Sequence, residues 1–205
     1  MNPYRVTDEP VPYVSTAEFH ADRERARHLE QPAHRPRLEK AAECVRLAAD
    51  LSLANQPGAT TVTVSDLGCG DGGLLQLLAG DPELRAWGYD FAPANAAGWS
   101  ERGVKAELLD VFGADRDKVA FGDITVVTEV LEHVADPYRE VRWIGEHSRY
   151  IVASSPWTET REAHDECHCW TFDPPGYRDL IEQGGFRLLR HEFLGMFQVV
   201  LGWRP

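Results

Sequence analysis

The stretch TVTVSDLGCGDGGLLQLLAG, residues 61–80, decides the fold. Its first half is rich in β-branched residues, glycines crowd positions 68–73, and an apolar run follows that stops at Gly80. A β-branched run reads as a strand, the glycines as a tight turn, and the leucine-rich run as a short helix closed by glycine. Strand, turn and helix in that order make the first unit of a parallel sheet.

Reading outward from that unit, the alternation continues. Strands are expected at residues 86–91, 106–111, 124–128 and 150–154, each followed by a turn or helix. After a helix near residues 175–183, two apolar segments, 186–194 and 197–203, are separated only by Gly195 and Met196. So short a link holds no crossover helix, so these two strands run antiparallel. The expectation is an α/β, Rossmann-like, mostly parallel seven-stranded sheet with helices on both faces and a C-terminal antiparallel hairpin. Upstream, residues 1–58 are polar, with Pro3, Pro10 and Pro12 followed by helical patterns at 16–29 and 36–53. They read as an N-terminal helical cap, with residues 59–205 as the main domain.

Composition narrows the function. The 205 residues hold one well-buried core, and no run approaches the roughly 18 apolar residues that cross a bilayer. The first ten residues, MNPYRVTDEP, carry neither a basic start with an apolar stretch nor a small-residue cleavage site. A cytoplasmic protein without membrane contact is expected. The formal charge of −12 repels polyanions, which argues against nucleic acid and for a small-molecule partner. Four cysteines, Cys44, Cys69, Cys167 and Cys169, are too few and too irregularly spaced for a disulfide framework. Nothing in the chain indicates an oligomeric state.

The motif DLGCGDGG, residues 66–73, satisfies the dinucleotide pattern through Gly68, Gly70 and Gly73, so the glycines alone leave the cofactor open. The neighbouring acids discriminate. Asp66, two residues before the first glycine, favours a cationic ligand and repels pyrophosphate. Asp90, 20 residues after Gly70 at the end of the second strand, is placed to accept ribose hydroxyls, and Asp110, at the end of the third, to reach an adenine. Ligands of open α/β sheets bind beyond the carboxyl ends of the strands, so these three carboxylates converge on one crevice.

From about residue 64 onward the chain resembles the class I S-adenosylmethionine-dependent methyltransferases, through DLGCGDGG, GYD, LLD, VVTEVLEHVADP and WTFDPPGYRDLIEQGGF in that order. The resemblance implies S-adenosylmethionine as cofactor. It also implies contacts from Asp66, Gly68, Cys69 and Gly70 to the methionine part, from Asp90 and Phe91 to the ribose, from Asp110 and Val111 to the adenine, and from Glu129 beside them.

The chemical end is expected after the fourth strand, in EVLEHV, residues 129–134. Glu129, Glu132 and His133 stand at i, i+3 and i+4 and share a face if a helical turn begins there. Two readings follow. In one, His133 is a general base oriented by Glu132 or Glu129. In the other, a divalent cation, Mg or Mn, lowers the pKa of an acceptor hydroxyl. EVLEHV resembles both the ubiquinone-pathway O-methyltransferases and the small-RNA 3′-terminal 2′-O-methyltransferases, and the resemblance implies metal ligands at Glu129, Glu132, His133 and a later histidine, His168 or His164. In HDECHCW, residues 164–170, Cys167, His168 and Cys169 are too crowded to serve one tetrahedral zinc, so this loop is expected to lend His168 and Trp170 to the substrate pocket. The leading expectation is O-methylation of a small hydroxylated molecule, with N-methylation or methylation of an RNA 3′ end as alternatives.

Overall fold

The computed structural model describes residues 4–6 and 27–205. After a two-residue strand β1 (Tyr4–Arg5) come helix α1 (Arg35–Ala54), β2 (Val62–Leu67), α2 (Gly73–Leu78), β3 (Leu84–Asp90), α3 (Ala96–Arg102) and β4 (Ala106–Leu108). The chain continues through β5 (Ile124–Thr128), α4 (Pro137–His147), β6 (Tyr150–Pro156), β7 (Trp170–Thr171), α5 (Pro174–Gln183), β8 (Arg187–Leu194) and β9 (Phe197–Trp203). Seven strands form one sheet in the order β4-β3-β2-β5-β6-β9-β8. The pairs from β4 to β6 are parallel, and β9 is antiparallel to both β6 and β8. The Rossmann-like sheet with a reversed C-terminal hairpin is therefore present.

Alternation along the central strands explains the two layers. On β5, Ile124 and Val126 face one side and Val127 the other; on β6, Tyr150 and Val152 oppose Ile151 and Ala153. Both sets are apolar because helices cover both faces. The first face packs against α1 and α2 through Leu38, Ala41, Val45, Ala48, Leu74 and Leu78. The second packs against α4 and α5 through Val141, Ile144, Tyr177, Leu180 and Ile181. Helix α1, expected as part of a cap, thus supplies one wall of the main core: its buried positions 38, 41, 42, 45, 48 and 49 repeat with helical period. The helical pattern at 16–29 lies mostly outside the described residues, where only the turn His28–Glu30 is seen.

Two local expectations are corrected. The third strand stops at Leu108, so Asp110 sits in the following turn, where its Oδ2 accepts the Ala114 N–H at 3.3 Å. And no helix begins at residue 129. The segment 129–135 is a turn that opens on Glu129 with φ +56°, the one non-glycine positive φ among the described residues. Helix α4 starts only at Pro137, where the Asp136 side chain accepts the Arg139 N–H. Also not anticipated was the small antiparallel pair of β1 and β7, which ties the N-terminal strand to residues 170–171.

Candidate active site

The strand order reverses between β2 and β5: β3 and β4 lie on one side of β2, and β5 and β6 on the other. Such a switch point opens a crevice beyond the carboxyl ends of the strands. Here it is a cavity of about 250 Å³.

Its floor is the turn after β2. Gly68 has φ +82°, and a Cβ there would stand 2.5 Å from the Val130 side chain; at Gly70, φ +54°, nothing lies within 4 Å of one. The first glycine lets the turn close against the β5 loop, and the second leaves backbone open to the cavity. Asp90, at the end of β3, braces the turn. Its Oδ2 accepts the Gly70 N–H at 2.9 Å, while its Oδ1 accepts the Ala92 N–H and the Asn95 amide at 2.8 and 3.0 Å. The Trp99 indole N–H on α3 donates to Gly70 O at 2.7 Å.

Asp66, Gly68, Cys69, Gly70, Asp90, Phe91, Asp110, Val111 and Glu129 all line this cavity, and so does His133. Glu132 lies behind the wall, 1% exposed, and His168 belongs to the loop beyond it.

Asp66 continues the row Val62 and Val64 on β2, so strand periodicity turns it toward α1. It is 1% exposed, and its Oδ1 has no hydrogen-bond partner among the described residues. Burial first, and then the nearby Asp90 carboxylate, push its pKa up to about 7, against the pull of Arg37. An orphaned, desolvated acid in a cavity wall is complementary to a cationic ligand, such as the ammonium of S-adenosylmethionine.

Arg37 is the residue that sequence reading passed over. It is 1% exposed on α1, lines the cavity, donates to Ser154 Oγ at 3.3 Å and stands 4.0 Å from Glu129 Oε1. Its guanidinium also lies 5.3 Å from the Phe197 ring centre. The signal available in the sequence was an arginine directly before Leu38, the first residue of the apolar stripe of α1.

The turn after β5 arranges the chemical groups. Glu129 Oε1 accepts the Ser154 hydroxyl at 2.8 Å, and burial raises its pKa. Among the described residues neither carboxylate oxygen of Glu132 has a hydrogen-bond partner; burial and then the neighbouring Glu129 push its pKa up to about 8. His133 Nδ1 is 3.1 Å from Cys167 O, so the backbone carbonyl, and not the carboxylate expected, holds that nitrogen. A carbonyl can only accept, so Nδ1 carries a proton, and in the neutral ring the lone pair falls on Nε2.

The loop between β6 and β7 closes this side. The Glu132 carbonyl accepts the Cys169 and Trp170 N–H groups at 2.7 and 3.1 Å, and the Trp170 indole donates to Val134 O at 3.0 Å. His168 Nδ1 pairs with Glu159 Oε2 at 2.6 Å, and the neighbouring acids, Glu159 above all, hold its pKa at about 9 despite burial. The His133 and His168 rings meet edge to face, 4.7 Å apart. The donor atoms that gather within 4.8 Å of one another are those of His133, Cys167 and His168; Glu129 and Glu132 stand outside that group. None of the four cysteines is in a disulfide.

A parallel sheet with a glycine-floored cavity at its switch point and a reversed last strand is the architecture of the class I S-adenosylmethionine methyltransferases. Residues 33–191 match the family model described as a methyltransferase domain, and the chain belongs to that family. It is an S-adenosylmethionine-dependent enzyme. No curated protein matches it in sequence. Among solved structures it is similar to magnesium protoporphyrin IX methyltransferase from Synechocystis PCC 6803 with bound S-adenosylmethionine, at 15% identity and TM-score 0.60, covering 94% of this chain and 93% of that one. It is similar also to the DszA carbon methyltransferase, at 16% identity and TM-score 0.66, covering 85% of this chain and 55% of that one. A third likeness is to the [4+2]-cyclase SpnF, at 14% identity and TM-score 0.58, covering 78% and 80%. At these identities the likeness is one of fold.

Proposed function

We propose that the chain transfers a methyl group from S-adenosylmethionine to a hydroxyl of a small acceptor. When bound, the donor supplies a methyl carbon on a cationic sulfur; the S–C bond breaks as the O–CH₃ bond forms, and the acceptor proton must leave. Asp66, Gly68, Cys69 and Gly70 would hold the methionine part, Asp90 and Phe91 the ribose, and Asp110 and Val111 the adenine. The net charge of −12 favours a small molecule over a polyanion. Among the described residues no helix is long and apolar enough to cross a membrane, and a cytoplasmic site of action belongs to the same reading.

The observation that carries the proposal is the placement of His133. Its ring lines the donor cavity, and the Cys167 carbonyl at Nδ1 selects the neutral tautomer whose lone pair is on Nε2. A neutral imidazole in that setting takes the acceptor proton from oxygen as the methyl transfers. An amine acceptor would need less of this help. The test is His133→Ala, assayed with a panel of hydroxylated acceptors: turnover is expected to fall at least 100-fold while the dissociation constant for S-adenosylmethionine changes less than twofold. Unchanged turnover would remove His133 from the chemistry.

One observation favours a second, metal-assisted reading. The two unpartnered oxygens of Glu132 suit a cation, which Glu129, Glu132, His133 and His168 would share, with Mg or Mn lowering the pKa of a sugar hydroxyl such as that of an RNA 3′ end. Turnover that survives a chelator counts against it.

A further inference from the structure

We propose that His133, Cys167 and His168 form a binding site for a thiophilic divalent cation of the zinc class, on the acceptor side of the donor cavity. The site shares its two histidines with the metal-assisted reading above and departs from that reading in its third ligand and in the kind of ion.

The first support is convergence. One ligand atom from each residue lies within 4.8 Å of the other two. Across a tetrahedral ion with bonds of 2.0–2.3 Å, donor atoms stand about 3.3–3.8 Å apart. The crowding of neighbouring ligands in the 164–170 loop is relieved because the third ligand, His133, comes from another element. Two hydrogen bonds from the loop to Glu132 O hold the two segments together.

The second support is how the imidazoles are held. His133 Nδ1 is against a backbone carbonyl at 3.1 Å, and His168 Nδ1 is against the Glu159 carboxylate at 2.6 Å. Oxygen acceptors behind Nδ1 are what metal-ligating histidines ordinarily have, since they set the tautomer that presents Nε2 to the ion. The Glu159 and His168 side chains are 12% and 10% exposed, so the pair is fixed. The third support is Glu132, 1% exposed beside this cluster, neither of whose carboxylate oxygens has a hydrogen-bond partner among the described residues. A cation compensates that buried group directly, as a fourth donor, or through its field.

The donor chemistry selects the ion. Two imidazole nitrogens and a thiolate suit zinc or cobalt, whereas Mg and Mn prefer oxygen. The oxygen alternative is weakened at Glu129, whose Oε1 is engaged by Ser154. On binding, two protons go to solvent: the Cys167 thiol, now 2.9 Å from Asp165 Oδ1, loses one as the sulfur–metal bond forms, and the His168 ring loses that of Nε2 while Nδ1 stays on Glu159.

The test uses Co²⁺ as a spectroscopic probe on the full-length, reduced protein. One equivalent is expected to produce a near-ultraviolet thiolate-to-cobalt charge-transfer band together with the intense visible bands of a four-coordinate ion, both abolished by Zn²⁺. Cys167→Ser keeps a hydroxyl for Asp165 and should fold; it is expected to lose the charge-transfer band and at least tenfold in affinity. Cys169→Ser is expected to keep both. His168→Ala serves as a second variant and is expected to lose the spectrum. A native protein without the band, or a band that survives Cys167→Ser, overturns the proposal. Weak six-coordinate cobalt bands competed by Mg²⁺ overturn it in favour of the oxygen-ligand reading. None of these readouts depends on turnover, so the proposal can fail while methyl transfer stands, and the reverse.

Discussion

Replacing Asp66 by asparagine should make the protein more stable and a worse binder of S-adenosylmethionine, and both effects follow from one buried charge. The carboxyl is fully buried with one oxygen unpartnered, and its pKa rises from 3.8 to about 7. Roughly three powers of ten in proton affinity correspond to about 4 kcal/mol favouring the neutral form. Because the folded pKa lies above the unfolded one, the native protein holds the proton more tightly. The cost of the charge is absent below about pH 4, grows as pH rises to about 7, and is complete above that. At pH 8 the asparagine variant escapes the cost but buries an amide whose hydrogen bonds are incomplete, a penalty of about 1–3 kcal/mol. A net gain of about 1–3 kcal/mol remains, or roughly 2–10 °C in Tm for a chain of this length. At pH 4 the gain should vanish. For the donor the sign reverses. Its ammonium requires the ionised carboxylate, so native affinity should fall up to about tenfold per pH unit below 7, and the variant should bind at least about 100-fold more weakly at pH 8 with no such slope. Thermal denaturation at pH 4 and pH 8 and calorimetric titration between pH 5.5 and 7.5 measure both arms. A variant less stable than the native chain at pH 8, with donor affinity intact, would show that Asp66 is a packing residue.

Three further outcomes bear on the same site. Gly68→Ala should cost about 1–3 kcal/mol in urea unfolding and sharply weaken donor binding, because the new Cβ enters the Val130 side chain at a φ of +82°. Asp90→Ala removes the acceptor of three donors at Gly70, Ala92 and Asn95, so donor affinity is expected to drop at least about 100-fold, with loss of amide-exchange protection at Gly70. Arg37→Leu leaves the acids Asp66 and Glu129 without their buried counter-charge and should destabilise the protein by about 3 kcal/mol or more at pH 8, with a smaller loss at pH 5 where Asp66 is protonated; equal losses at the two pH values would contradict the coupling.

Much of the architecture was legible because it rests on local chemistry. The β-branched run before the glycines, the matching strand at Ile124–Thr128 and the two-residue link at Gly195 and Met196 each specify backbone geometry within a few residues, so the parallel sheet and its reversed hairpin could be read directly. That the nine residues expected at the donor would line one cavity was also readable, because strand ends of an open α/β sheet and the turns after them share one crevice whatever the details of packing. The region after β5 was not. Spacing of i, i+3 and i+4 implies a common face only in a helix, and here Val130 packs over Gly68 while Glu129 adopts a left-handed φ, so Glu129 and His133 line the cavity and Glu132 is buried behind its wall.

What the chain's order of residues determined alone was its periodicity, its glycine turn and the succession of acids at strand tips. Only the packed structure decided which groups share a space: Arg37 from α1 between Asp66 and Glu129, the Cys167 carbonyl behind His133, and Glu159 behind His168. Those contacts span from nine to more than ninety residues of chain, and a contact between distant residues depends on how helices and loops close over the sheet, which no local pattern encodes.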